Sequence, residues 1–318
     1  MYKTISKIYF FVISLLFLCF SLAGCSNLLH GEEFESAKGK DFSKRFNKPE
    51  IAGTIDSPEI SESSGLVSSR CNKGVLWTHN DSRNGAFIFA LNETGEKLGT
   101  WKVSGATNVD WEDIATVKGD DGKCFLYIGD IGNNARTRSE LTIYKVAEPS
   151  VPVESKPSAN AKPGSTEKAR LIKFTYPDFR HNAEALLVHP KTRDIYIISK
   201  RISGAAGVYK FTEEIGKTAY VLQKVSDLSV PALPNGLLTA GEISTDGKRL
   251  IVCDYYNAYE FALPKKAKDF DEIWEEEASI IELGKRDQGE AICYSVDMTS
   301  IFATSEKHNS PLIRVTRK

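Results

Sequence analysis

The sequence predicts an all-β protein built from five copies of one antiparallel unit. Three observations predict it: short apolar segments rich in β-branched and aromatic residues recur, turn residues separate them, and a glutamate precedes or begins the first segment of each copy. Such units arranged around a common axis form a β-propeller, and we predict a five-bladed β-propeller, with six blades as the alternative. A β-sandwich is the other all-β candidate, but it does not require an acidic residue at the same place in every copy.

Each predicted blade begins with a glutamate and a small apolar strand. The five glutamates are Glu62, Glu112, Glu184, Glu242 and Glu290, and they are spaced by 50, 72, 58 and 48 residues. Turn residues follow, as in Gly-Asp-Asp-Gly-Lys at 119–123, and then a second strand, as in Ile-Tyr-Ile-Ile at 195–198. The second strands are apolar on both faces, which is typical of strands covered by neighbouring sheets.

A third strand follows in all five copies and a fourth in all but the last. The third strands are predicted at 86–91, 141–146, 207–211, 258–263 and 312–316, and the fourth at 97–103, 170–174, 220–225 and 279–283. The chain ends after the third strand of the fifth copy, while an unassigned apolar segment lies at 50–55. We predict that this N-terminal strand completes the last blade and closes the ring, because closure removes the free edges.

The first 24 residues have the pattern of an export signal. Lys3 and Lys7 precede a long apolar run, which ends in Leu22-Ala-Gly-Cys25. This box resembles the bacterial lipoprotein signal, which implies that Cys25 is lipidated and that the protein is exported and anchored in the cell envelope, at the outer membrane if the cell has two. An uncleaved membrane anchor is the alternative.

Composition shifts divide the rest of the chain. Residues 25–45 are polar and predict a tether, 46–318 hold the predicted propeller, and 147–170 form a proline-rich insertion without a strand. An acidic amphipathic segment at 270–277 predicts a short surface helix. The chain carries 41 basic and 42 acidic residues, a balance that gives no footprint for nucleic acid.

Four cysteines follow Cys25. They are Cys71, Cys124, Cys253 and Cys293, and their spacing matches no zinc pattern. An exported protein lies in a compartment that permits disulfides. Buried thiols and one or two bridges are both open.

The five glutamates are expected to converge, because the first strand of each propeller blade lines the central channel. Crowded carboxylates raise one another's pKa, and a cation relieves that repulsion. Oxygen-only ligands suit a hard ion, so we predict Ca²⁺ held by Glu62, Glu112, Glu184, Glu242 and Glu290. Alternatively, these glutamates accept bonds from backbone amides beside a water-filled channel. A separate alternative concerns the first copy, where Ser63 or Ser64 takes the place of Glu62 in the ring.

Charged side chains are predicted around the same channel mouth. They come from separate blades and are His79, Asp81, Asp110, Asp130, Arg136, Lys200, Arg201, Lys307 and His308. The basic members, with His308, suit a small anionic ligand. His79, Asp81 and Asp130 are candidates for catalysis, in which metal-bound water attacks and His79 or an aspartate acts as base. Turn formation is the alternative for single Asn, Asp, Gly and Ser residues there, and Asp130 with Asn133 and Asn134 is alternatively a small calcium loop.

The glutamate ring resembles the five-bladed propellers of the calcium-activated nucleotidase (apyrase) family. In that family, acidic and hydroxyl groups of successive inner strands hold a central calcium, which the resemblance implies here for Glu62 or Ser63 and the other four glutamates. The chain departs from the family in having glutamate in every repeat and in lacking its nucleotide-binding loops. Two functions follow: an envelope-anchored propeller that binds Ca²⁺ and a ligand or protein partner, or a metal-dependent hydrolase of a small phosphate or carboxylate ester, like a nucleotidase, phytase or lactonase.

Overall fold

A computed structural model describes residues 42–152 and 162–318 of the chain. The predictions for the export signal, for Cys25, for most of the tether and for residues 153–161 of the insertion lie outside the described residues. Within those residues, 22 strands form five small sheets, and the predicted five-bladed β-propeller is confirmed. No helix among the described residues is long and apolar enough to span a bilayer.

The strands are numbered in chain order, and β1 (Glu50–Ile55) precedes the first complete blade. Blade 1 contains β2 (Ser63–Ser68), β3 (Val75–Asn80), β4 (Phe87–Asn92) and β5 (Lys97–Lys102), with the two-residue β9 (Gly164–Ser165) added parallel to β5. Blade 2 contains β6 (Trp111–Lys118), β7 (Cys124–Asp130), β8 (Leu141–Ala147) and β10 (Arg170–Thr175). Blade 3 contains β11 (Ala183–Val188), β12 (Asp194–Ser199), β13 (Ala206–Thr212) and β15 (Gln223–Leu228), and β14 (Ala219–Val221) lies between β13 and β15 in the chain.

Blade 4 contains β16 (Ala240–Ile243), β17 (Arg249–Cys253), β18 (Asn257–Ala262) and β19 (Ser279–Glu282). Blade 5 contains β20 (Gly289–Tyr294), β21 (Ser300–Ser305) and β22 (Ser310–Thr316), and β1 completes it by pairing antiparallel with β22. The predicted closure by the N-terminal strand is therefore confirmed. The first strands of successive blades contact one another in a complete cycle, from β2 through β6, β11, β16 and β20 back to β2.

Five apolar clusters fill the spaces between neighbouring blades. Trp77 and Tyr144 lie between blades 1 and 2, Tyr127 between blades 2 and 3, and Phe89 between blades 5 and 1. These side chains are almost completely buried, so each blade contributes to two cores. This packing explains why the second strands are apolar on both faces.

Side chains of the first strands also bond to the backbone of the next blade. Ser64 Oγ donates to Glu112 O at 2.7 Å, Asp113 Oδ2 accepts from Leu186 N at 2.9 Å, and Ser68 Oγ donates to Tyr294 O at 2.6 Å. Each of these bonds joins two blades near the axis. These buried polar groups are therefore satisfied by neighbouring blades.

The predicted fourth strand at 220–225 is wrong, because the structure divides it between two blades. β14 pairs in parallel with β10 of blade 2, and Leu222 N donates to Thr175 O at 2.9 Å, whereas β15 pairs with β13 of blade 3. The Tyr220 ring packs on Phe211 at 4.2 Å between centroids, in the core between blades 2 and 3. Burial of Tyr220 and Leu222 in that core draws the segment onto blade 2. The insertion likewise contains the short strand β9, contrary to the prediction of no strand.

The remaining local predictions concern the helix and the cysteines. A 3₁₀-helix spans Phe270–Glu275, where a short helix was predicted. Its side chains Phe270, Ile273 and Trp274 are buried, so only the acidic side of the helix faces solvent. Cys71 and Cys124 form a disulfide between the β2–β3 hairpin of blade 1 and β7 of blade 2. Cys253 and Cys293 are buried free thiols. Both alternatives left open by the sequence therefore occur.

Candidate functional site

Three of the predicted glutamates occupy the same structural position. The first strand of blades 2, 3 and 5 has an irregularity in its pairing, where Glu112, Glu184 and Glu290 are the extra residues. Each is therefore the additional residue of a β-bulge, a feature that redirects a side chain at the start of a strand. All three are only 3% exposed.

Glu242 does not join them, because the first strand of blade 4 pairs without a bulge. Ala240, Gly241 and Glu242 are all paired in register with β17, so Glu242 is shifted along the strand. Its carboxylate receives Arg70 Nη2 at 2.8 Å and Tyr294 N at 2.7 Å. Burial raises the pKa of Glu242 to about 7, although the Arg70 guanidinium opposes the shift.

Glu62 also differs from the other glutamates, since it precedes β2 and is half-buried. Its Oε2 accepts a bond from Asn84. The bulge of blade 1 falls at Gly65, whose φ is 73°. A side chain there would collide with Asp113 and His79, so blade 1 offers no carboxylate at the equivalent position. Three of the five predicted glutamates therefore share one position, and Glu62 lies at the edge of the group, where its charge helps to raise the pKa of Glu306.

Other acidic residues complete the group. Carboxylate oxygens of Asp81, Asp110 and Glu112 lie within 4.8 Å of one another. Asp81 follows β3 of blade 1, and Asp110 immediately precedes β6 of blade 2. Gly132 leaves the space they need, because a Cβ at that residue would collide with the carboxylates of Asp110 and Glu112.

Lys200 lies on the other side of Glu184. Its Nζ is 3.2 Å from Glu184 Oε1, 3.7 Å from Glu290 Oε1 and 5.1 Å from the centre of the Tyr255 ring. Gln288 donates to Glu290 Oε1 at 3.2 Å and also to Glu306. We call the combined group the acidic mouth, which consists of Asp81, Asp110, Glu112, Glu184, Glu290 and Glu306.

Burial and mutual repulsion shift the titration of this group. Burial, followed by the charges of Asp110, Glu290 and Glu184, raises the pKa of Asp81 to about 7. Burial and then the Glu184 carboxylate raise the pKa of Glu112 well above its usual range. Burial and the contact with Glu290 raise the pKa of Glu306 to about 10. The carboxyl groups of the mouth therefore keep protons at pH values where exposed carboxyl groups are ionised, because the chain places too few cations beside them.

The candidates for catalysis fall in different surroundings. His79 is completely buried, edge-on to Trp111 at 5.6 Å between centroids, and burial lowers its pKa to about 4. Asp130 is buried, forms an ion pair with Arg138 at 2.7 Å and accepts from Asp110 N at 3.1 Å. Asp130 thereby positions the segment that carries Asp110. Only Asp81 of the three belongs to the acidic mouth.

The predicted ligand-binding residues also separate. Lys200 is in the mouth, whereas Arg136, Arg201, Lys307 and His308 are exposed on the surrounding loops. The role of those four side chains in binding a ligand therefore stays a prediction. Arg138 was missed because its only signal in the sequence is its place in the polar loop that follows Asp130.

The fold and the site define a five-bladed β-propeller with an acidic channel mouth. No protein-family model and no curated protein matches the chain. Among solved structures, a gluconolactonase from Xanthomonas campestris matches at 11% identity and a TM-score of 0.45, over 83% of this chain and 89% of that chain. The soluble aldose sugar dehydrogenase of Escherichia coli, in its apo form, matches at 10% identity and a TM-score of 0.47, over 86% of this chain and 100% of that chain. These are similarities of fold.

The raised pKa of Asp81 predicts how the cation-free protein responds to pH. An aspartate in the unfolded chain has a pKa of about 3.9, whereas burial raises the pKa of Asp81 in the folded chain to about 7. The folded state therefore binds more protons between these values, and its free energy of unfolding falls as pH rises through that window. We expect the melting temperature, measured in chelator, to fall from pH 5 to pH 8 and to fall less in Asp81→Asn. Asp120→Asn, at an exposed aspartate, should follow the wild type, and parallel curves for all three proteins would contradict the expectation.

Proposed function

We propose that the protein binds one divalent cation of the Ca²⁺ type at the acidic mouth, through Asp81, Asp110 and Glu112. The observation that carries the proposal is the approach of their carboxylate oxygens to within 4.8 Å of one another. An all-oxygen donor set suits a hard cation, and the flexible coordination of Ca²⁺ accommodates ligands from a loop, a strand connection and a bulge. Of the predicted metal ligands, Glu112 takes part directly, while Glu184 and Glu290 adjoin it.

Two other buried carboxylates supply the comparison that favours a cation. Asp113 accepts backbone N–H bonds from Ile114 at 2.8 Å and Leu186 at 2.9 Å, and Glu242 accepts from Tyr294 N and Arg70. Glu112 is as deeply buried, but among the described residues its carboxyl group is hydrogen-bonded only to another carboxyl group, that of Glu184. Bonds from backbone amides, the alternative to a cation, therefore account for the carboxylates of Asp113 and Glu242. They do not account for Glu112, which accepts no N–H bond from the described residues.

The cation would also organise the loop face for a partner. Asp81 and Asp110 are half-buried, so part of the cation's coordination faces solvent. An exposed anionic ligand or an acidic side chain of a protein partner can complete that coordination, and the exposed Arg136, Arg201 and Lys307 lie on loops of the same face. We place the protein in the cell envelope, held to a membrane by a lipid on Cys25, on the pattern of residues 1–25.

The cation proposal predicts different behaviour for two buried glutamates. The melting temperature of the wild type should rise with added Ca²⁺, because the ion binds only the folded ring; at 100 times Kd the gain is about 2.7 kcal/mol. Glu112→Gln should lose most of this response, whereas Glu242→Gln should keep it, since the amide oxygen still accepts from Tyr294 N. The melting temperatures are measured in Ca²⁺ and in chelator, and elemental analysis determines the metal content of the purified protein. A wild type that carries no metal and melts identically in both conditions would refute the proposal.

Hydrolysis is the second candidate function, and the position of Asp81 favours it. Asp81 is half-buried at the proposed cation, so the carboxylate oxygen that does not bind the cation can face a water and act as a general base. The cation would polarise a phosphate or carbonyl oxygen, while Asp81 takes a proton from the attacking water.

We therefore expect chelator-sensitive turnover in a screen of nucleotides, other phosphate esters and lactones. Asp81→Asn should lower kcat by about 10²- to 10⁴-fold, while an Asp120→Asn control should leave it unchanged. The absence of turnover on every class, in protein shown to carry the cation, would leave binding alone.

The membrane anchor has its own test. The wild-type chain expressed in bacteria should sediment with membranes, and Cys25→Ser should be released, because the thiol that carries the acyl group is gone. Mass spectrometry of the mature N-terminal peptide should show an acylated cysteine. A soluble wild type or an unmodified Cys25 would contradict this placement.

A further inference from the structure

Lys200 lies in one half of the acidic mouth, and the two halves differ in whether they contain a cation of the chain. Its ammonium lies between Glu184 and Glu290, with the Tyr255 ring beneath it, and its side chain is 15% exposed. Both carboxylates lie within ion-pair distance of the ammonium. Gln288 and Glu306 complete this half.

The other half has no such cation. In the part of the chain that the structure describes, no lysine or arginine forms an ion pair with Asp81, Asp110 or Glu112, and Arg138 is engaged by Asp130. Glu184 belongs to both halves, because its carboxyl contacts Glu112 on one side and Lys200 on the other. The two groups of carboxylates are therefore continuous, and among the described residues only one of them holds an ion-paired cation of the chain; the charges of Arg138 and Arg83 reach Asp110 from farther away.

We propose that Lys200 is a built-in second cation, which occupies the space between Glu184 and Glu290 and limits the mouth to one divalent ion. This inference rests on the proposed cation at Asp81, Asp110 and Glu112. The two carboxylates beside Lys200 are of the oxygen type that the same hard cation prefers, and both are 3% exposed. The ammonium neutralises them and keeps a second ion away by repulsion and by occupying the space.

Removal of the charge should therefore convert a one-ion protein into a two-ion protein. Lys200→Met leaves Glu184 and Glu290 without their cation, and calorimetric titration of chelator-stripped protein with CaCl₂ should then give two ions per chain. The first ion should also bind on the order of tenfold more tightly, since a positive charge inside the same cluster is gone.

Three further variants separate charge from fold. Lys200→Arg keeps the charge and should keep one ion, while Lys200→Gln keeps an N–H donor for Glu184, removes the charge and should take two. Lys210→Met removes a lysine that pairs with Asp271 on another part of blade 3 and should leave binding unchanged. If Lys200→Met folds only in calcium, elemental analysis after gel filtration in calcium counts its ions directly.

The outcomes distinguish this inference from the function on which it rests. A wild type that binds no ion defeats the proposed function. A wild type with one ion, and Lys200→Met and Lys200→Gln also with one ion at unchanged affinity, would overturn the role of Lys200 while the proposed cation remains. Two ions in Lys200→Arg would overturn it as well, because the charge would then not be what excludes the second ion.

Discussion

Buried carboxylates near the axis of the ring must be compensated, and the way each one is compensated organises this molecule. An unpaired buried charge costs on the order of several kcal/mol even after relaxation. Asp113 is compensated by the backbone N–H groups of Ile114 in its own blade and Leu186 in blade 3, and Glu242 by Arg70 and a backbone N–H. Glu112 has neither, which separates structural carboxylates from those available to a ligand. The same first strands thus hold the ring together and supply the candidate site.

The fold could be predicted because its signals are local and repeated. Apolar strands, turn residues and a missing fourth strand in the last copy are all visible in the sequence, and they led to the correct number of blades and to the closing role of Glu50–Ile55. The division of 219–228 between two blades could not be predicted. Tyr220 and Leu222 fit a fourth strand of blade 3 by pattern, and only the core between blades 2 and 3 decides their partner.

The site was predictable in part, and the β-bulges explain where the prediction failed. A recurring glutamate is visible in the sequence, but the extra residue that redirects it exists only in the pairing of two strands. Blades 2, 3 and 5 have that bulge at glutamate, blade 1 has it at Gly65, and blade 4 lacks it. The recurring glutamate is therefore the bulge residue in three blades, precedes the first strand in blade 1, and is an ordinary paired residue in blade 4. His79 shows the same limit, because its burial against Trp111 depends on a neighbouring blade.

The two halves of the acidic mouth join different blades, which couples the site to closure of the ring. Asp81 belongs to blade 1 and Asp110 and Glu112 to blade 2, so a cation there would bridge these two blades. Lys200 and Glu184 belong to blade 3 and Glu290 to blade 5, so the ammonium already bridges the other half. The charges of Asp81 and Glu112 repel each other across these two blades at this end, whereas the disulfide between Cys71 and Cys124 connects the same two blades through the β2–β3 hairpin and the start of β7. The covalent link lies at the opposite ends of these strands, so it joins blades 1 and 2 whether or not a ligand occupies the acidic mouth.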